Sequence, residues 1–116
     1  MRINSIGAIA AVFLCAAILV PAQALPPGQY HNYGPGTGSC GGWLTDSKPD
    51  RQVAATMDVL WVLGWVSAAG YYSGQPLRDT DSQAIAAWVD KYCHEHPLSK
   101  IADAAKSLVE TLAKPE

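Results

Sequence analysis

Basic residues are sparse in this sequence: eight Lys and Arg are spread from Arg2 to Lys114 and form no patch. Nucleic-acid binding, which needs clustered cations to neutralise phosphate, is therefore unsupported. No stretch alternates apolar and polar residues as a half-buried strand does, which excludes a sheet-based fold. The run Gly34-Pro35-Gly36-Thr37-Gly38 is not followed by Gly-Lys-Ser/Thr, and Pro35 lacks an amide donor, so a phosphate-binding loop is excluded. No Ser-His-Asp set can be assembled from the spacing, and the carboxylates are scattered over polar faces, so no enzymatic activity and no cofactor are expected.

The chain opens with Met1-Arg2, an apolar stretch Ile6–Val20 and the exit Pro21-Ala22-Gln23-Ala24. A charged start, a greasy middle and an A-x-A end predict a signal peptide over 1–24. Leu14 precedes Cys15 where lipid attachment needs a small residue, so a lipoprotein is not expected. The apolar core of about 15 residues is shorter than the roughly 20 that span a bilayer, so membrane association is expected only through an uncleaved leader. Loss of the leader leaves seven basic and ten acidic side chains, a net charge of −3 with neutral histidines. It also leaves two cysteines, Cys40 and Cys93, in a chain long enough for one domain. A core of that size buries only about 60–65% of its surface, so a covalent crosslink helps appreciably.

Residues 25–39 are rich in Gly and Pro and predict a mobile, extended lead-in. Ser39 can cap a short helical turn through Cys40-Gly41-Gly42-Trp43-Leu44. From Pro49 or Asp50 the apolar residues Val53, Met57, Leu60, Trp61, Gly64, Trp65 and Ala68 recur at three and four positions and predict a helix ending at Gly70 or Gly74. Gly64 in mid-helix predicts close approach of another helix. Thr80-Asp81-Ser82-Gln83 predicts a capping box with Thr80 as cap, opening a helix with Ile85, Trp88, Val89 and Tyr92. Pro97 ends that helix and opens the next, where Leu98, Ile101, Ala105, Leu108 and Leu112 form one apolar face opposite Lys100, Asp103, Lys106 and Glu110. The expected fold is all-α: a small single-domain bundle of three main helices plus a short N-terminal helical turn. Trp61 and Trp88 are expected in its core, while Tyr71 and Tyr72 near a helix end are expected to face a partner.

Cys93, His94 and His96 form the densest cluster of chemical groups. On a helix Cys93 and His96 share a face while His94 points away, so a metal site requires unwinding near Pro97 and a fourth ligand. A catalytic Cys–His pair requires a thiol that survives export. Two cysteines in an exported chain more often pair with each other, so the expected partner of Cys93 is Cys40, and no metal is expected.

The segments "SCGGWL" at 39–44 and "WVDKYCHEHPLSKIADAA" at 88–105 resemble the HdeA/HdeB-like acid-stress proteins of the bacterial periplasm. In that family Thr/Ser-Cys followed by an aromatic or Leu opens the domain, and a Tyr-Cys-x-x-Asn-Pro type motif follows further along. His96 replaces the Asn, and the middle segment "VLWVLGWVSAAGYYSG" is more apolar than in the family's best-studied members. The resemblance implies a helical domain over 40–114 tied by a Cys40–Cys93 disulfide, periplasmic location, a homodimer at neutral pH, and chaperone activity towards unfolded periplasmic proteins in acid.

Two functional expectations follow. Below about pH 3 the carboxylates protonate and the histidines charge, moving the balance from −3 towards about +10. In the first, acid loosens the domain and exposes faces containing Leu60, Trp61, Trp65 and Ile85 for unfolded clients, with Asp58 as a pH-sensing carboxylate whose sign depends on whether a cation or burial dominates its surroundings. In the second, the chain is an immunity or inhibitor-type binding module that neutralises a secreted cell-wall enzyme, with Trp43, Tyr71 and Tyr72 as anchors.

Overall fold

The computed structural model describes residues 29–115; the predicted leader, Cys15 and the first residues of the lead-in lie outside the described residues. From His31 onward the chain forms one compact unit. It contains four α-helices, α1 (Cys40–Asp46), α2 (Gln52–Ser73), α3 (Ser82–Glu95) and α4 (Ile101–Leu112), with 3-10 turns at Gly34–Thr37 and Pro49–Arg51. No strand forms among the described residues; Ser39 and Lys100 make one isolated bridge. The N-terminal segment expected as a turn is a full α-helix of seven residues, because the Ser39 side chain accepts from Gly42 N at its start.

The helix boundaries follow local chemistry. α2 ends where Gly74 adopts a left-handed φ of 64°, a conformation that glycine takes without steric penalty. α3 is capped by Asp81, whose carboxylate accepts from Ala84 N at 2.8 Å. Asp81, one residue beyond the expected Thr80, takes the role because an Asp at this position satisfies an otherwise orphaned amide. α4 starts at Ile101, and Asp103 reaches back to Lys100 N at 3.0 Å. Pro97 therefore opens a turn rather than a helix, and Leu98 is 97% exposed instead of facing the core. The loop after α2 is fastened by Arg78, whose backbone N–H donates to Leu112 O and whose guanidinium donates to Thr111 O. A cation at the end of α4 also matches the negative end of the helix dipole.

The expected disulfide is present. Cys40 and Cys93 are bonded, with Cα atoms 4.7 Å apart and 53 positions of sequence between them. In the chain-entropy treatment, closing a loop of that size stabilises the fold by about 4 kcal/mol. Backbone bonds run alongside it: Cys40 N to Ser99 O, Gly41 N to Pro97 O, and Ile101 N to Gly38 O. Around this seam lie the buried side chains Trp43, Val62, Val66, Ile85, Val89, Ile101, Ala104, Ala105, Leu108 and Leu112. The two expected core tryptophans, Trp61 and Trp88, are only partly buried and pack on its edge.

α4 and α2 differ in kind. α4 buries Ile101, Ala105, Leu108 and Leu112 and exposes Lys100, Asp103, Lys106 and Glu110, as the spacing predicts. α2 is apolar around its whole circumference, so periodicity alone does not select the face that turns inward. Its buried line is Asp58, Val62 and Val66. The stripe Val53, Met57, Leu60 and Gly64, expected to be hidden, lies on the opposite side and faces solvent.

Gly64 carries no neighbouring helix: a Cβ added there meets nothing within 4 Å. Within the folded unit its only consequence is the conformational cost of glycine in a helix. Replacing Gly64→Ala is expected to raise stability by about 1 kcal/mol in urea unfolding followed by far-UV circular dichroism. A destabilised variant would mean that a backbone packs against Gly64 in solution.

Candidate functional site

The Cys-His-x-His cluster is dispersed by the fold. Cys93 is fully buried in the disulfide. His94 lies 3.6 Å from Asp90 across one helical turn, and His96 tilts against the Tyr92 ring with centroids 4.6 Å apart. Tyr92 in turn stacks on Trp88 at 5.6 Å. Among the described residues no group of three or more His, Cys, Asp or Glu side chains converges.

What the fold displays instead is the outer face of α2. Val53 is 77% exposed, Met57 56% and Leu60 61%, and Tyr71 and Tyr72 at the C-terminal end exceed 80%. Steps of four, three and four positions from Val53 place Met57, Leu60 and Gly64 on one line, which Tyr71 continues two turns later. The line is about 27 Å long. Between Gln52 and Leu77 the sole charged side chain is Asp58, and it lies on the opposite, buried side. An uncharged exposed strip of this extent covers several hundred Å², at or beyond the largest apolar patch of an ordinary monomer. By length and composition the Pro49–Ser73 helix is apolar enough to cross a membrane, and little of it is buried. The Asp58–Val62–Val66 line, however, is committed to the protein core. At one end the stripe meets an open hollow lined by Pro49, Arg51, Val53, Ala54 and Met57. At the other, Tyr71 borders a groove formed with Val66, Gly70, Leu77, Ile85 and Leu112.

The other apolar residues singled out from the sequence lie elsewhere. Trp43 is 4% exposed and belongs to the core; its indole N–H has no acceptor among the described residues. Trp43 is thus no exposed anchor. Ile85 is buried, and Trp65 is half-buried against the core. Tyr71 and Tyr72 are the exposed pair, their rings meeting edge to face at 5.1 Å. Trp61 sits beside the stripe but is covered: its indole N–H donates to Tyr33 O at 2.7 Å. The Gly34–Thr37 turn lies over its ring. The residues missed in the sequence are those of this arm, since its Gly and Pro content reads as a spacer, and only the fold brings it to an indole 28 positions away.

Asp58 is buried, and Arg51, its nearest cation in helical register, pairs with Asp46 instead. Desolvation raises the Asp58 carboxyl above the ordinary Asp value, and the charge of Asp46 adds to the rise. Burial disfavours the charged form. A carboxyl with a raised folded pKa contributes stability that is fully present below its unfolded value and lost as pH rises through the folded one. Asp58 thus favours the fold in acid, opposite in sign to a carboxylate whose protonation would loosen it.

Comparison with models of protein families, with curated proteins and with solved structures finds no match.

Asp58→Asn is expected to unfold at the same denaturant midpoint as the wild type in acid, where both side chains are neutral. It becomes the more stable protein as pH rises past the raised carboxyl pKa. A wild type that outlasts the variant at neutral pH would show that a cation stabilises the Asp58 carboxylate.

Proposed function

We propose that this chain is an exported, HdeA/HdeB-like acid-stress protein that holds apolar segments of unfolded proteins on the outer face of α2, while its own fold stays intact. The observation that carries the reading is the uncharged stripe Val53–Met57–Leu60, standing exposed opposite the core. A surface already displayed needs no acid-triggered opening. The disulfide is compatible with an oxidising compartment, and the motifs around Cys40 and Cys93 supply the resemblance to periplasmic proteins. Acid then acts on charge rather than on shape. With its carboxylates neutralised and its histidines charged, the protein acquires a strongly positive surface that keeps a complex with a sticky client in solution. The stripe itself contains nothing to titrate, so its affinity for apolar chain segments is retained.

A second reading, a binding module for one specific protein, is favoured by Tyr71 and Tyr72. Their exposed rings end the stripe beside the Val66–Gly70–Leu77 groove, and tyrosines of this kind are common energetic anchors of interfaces. General holding depends on the length of the stripe, whereas a specific partner depends on its tyrosine end.

The test is light scattering of an aggregating client at neutral pH and near pH 3. Wild type is expected to suppress aggregation in both conditions. Met57→Lys combined with Leu60→Lys, charged throughout this range, is expected to abolish suppression with little change in stability, because both sites are exposed. Tyr71→Ala with Tyr72→Ala is expected to retain most of the suppression. A wild type that suppresses nothing in either condition removes the holding function, and loss confined to the tyrosine variant transfers the role to a specific partner.

A further inference from the structure

The covered indole of Trp61 combines two kinds of recognition on one side chain. At its pyrrole edge Nε1–H donates to the Tyr33 carbonyl at 2.7 Å, and Gly34, at φ 72°, lies 3.6 Å from Cδ1 by the position a Cβ would take. At its six-membered ring Gly36 fits so closely that a Cβ there would stand 2.1 Å from Cζ2 and Cη2. No side chain larger than hydrogen is compatible with that contact. A flat ring that bonds one backbone carbonyl and admits only glycine three residues later reads a backbone shape.

The segment that satisfies it packs on α2 at this indole and on α4 beside it. Within Tyr33–Thr37 the remaining bonds are internal: Thr37 Oγ1 donates to Gly34 O, and Gly38 N donates to Pro35 O. The backbone joins the disulfide-tied fold at Gly38, whose carbonyl accepts from Ile101 N. Glycines at 34, 36 and 38 make ordering this arm entropically costly. Pro35 offsets part of that cost by fixing φ in the turn. An arm ordered at this entropic cost and carrying little buried side-chain surface belongs to the lower-stability part of a structure, able to open without global unfolding.

We propose that Trp61 is a peptide-docking site for a glycine-bearing turn of the x-Gly-Pro-Gly type, occupied by the chain's own Tyr33–Thr37 arm as an intramolecular ligand. Release of the arm bares the indole at the edge of the Met57–Leu60–Gly64 stripe and widens it. The widening rests on the client-holding reading of α2; the docking does not. Tethering gives the arm an effective concentration in the millimolar range, so a free peptide competes only when the tethered copy is disabled.

Gly36→Ala in the full-length protein disables it by steric clash while leaving every residue of α2 in place. The readout is solvent exchange of the Trp61 indole N–H, identified by its disappearance in Trp61→Phe. It is expected to be protected in the wild type and to exchange freely in Gly36→Ala at unchanged helix content. A synthetic peptide YHNYGPGTG added to Gly36→Ala at millimolar concentration is expected to restore protection, and the same peptide with Ala at the second of its three glycines is expected not to. Trp61→Phe, which keeps the packing and removes the donor, is expected to release protection of the Gly36 amide. Client holding by Gly36→Ala is expected to rise severalfold. Persistent protection in Gly36→Ala, loss of its helix content, or a peptide without effect would each overturn the docking site. If the peptide restores protection but client holding does not rise, the docking site stands and its link to the stripe fails. If neither wild type nor variant holds clients, the holding reading fails by itself.

Discussion

The Cys40–Cys93 bond decides what the rest of the chain is free to do. A domain this small has little apolar surface to spend on stability. Here the bond ties α1 to the end of α3, and the parallel backbone bonds from Cys40 and Gly41 to Ser99 and Pro97 bring α4 into the same seam. With about 4 kcal/mol supplied by loop closure, α2 buries the line Asp58–Val62–Val66 fully, packs Val59, Leu63 and Trp65 partly against the core, and keeps its opposite face outside.

The difference between α4 and α2 marks what was legible in the sequence. The all-α class and the buried face of α4 from Ile101 onward follow from local signals, cap residues, turn glycines and an apolar period set against charged residues, while the pairing of the two cysteines follows from their number in a small chain with an export-like start. α2 carries no such contrast. Val53, Met57, Leu60 and Gly64 have helical spacing, but so do Val59, Val62, Leu63 and Val66, and only tertiary packing selects between them. The position of Trp61 was obscured for the same reason, because its cover comes from an arm whose composition suggests a spacer. Thr80 and Asp81 show a finer limit: adjacent residues can both serve as caps, and backbone geometry makes the choice.

Asp58 shows how burial decides a sign that the sequence leaves open. A protein loosened by acid needs carboxylates whose ionised form the fold stabilises. The described carboxylate with the clearest departure from ordinary behaviour does the reverse, since its nearest register cation is engaged by Asp46 and its surroundings are apolar. Asp58 does not supply loosening in acid, which is left to repulsion among the seven basic residues and three histidines of the described chain and to loss of ionised contacts such as Asp46–Arg51. That repulsion works against both the disulfide and the protonated Asp58.

Under the proposed holding role, these terms favour a protein whose binding surface is indifferent to acid and whose solubility is not. Apolar association depends on area removed from water and hardly on protonation, and the stripe contains no group that titrates in the acid range. Net charge, by contrast, swings through zero on the way to a strongly positive value. A holding protein that relied on unfolding would expose Trp43 and the rest of its core along with its binding face and would risk aggregating with its client. One that keeps Trp43, Ile85 and Val89 buried while presenting α2 separates the adhesive surface from the structural one, and the crosslink at Cys40 and Cys93 maintains that separation when charge repulsion is greatest.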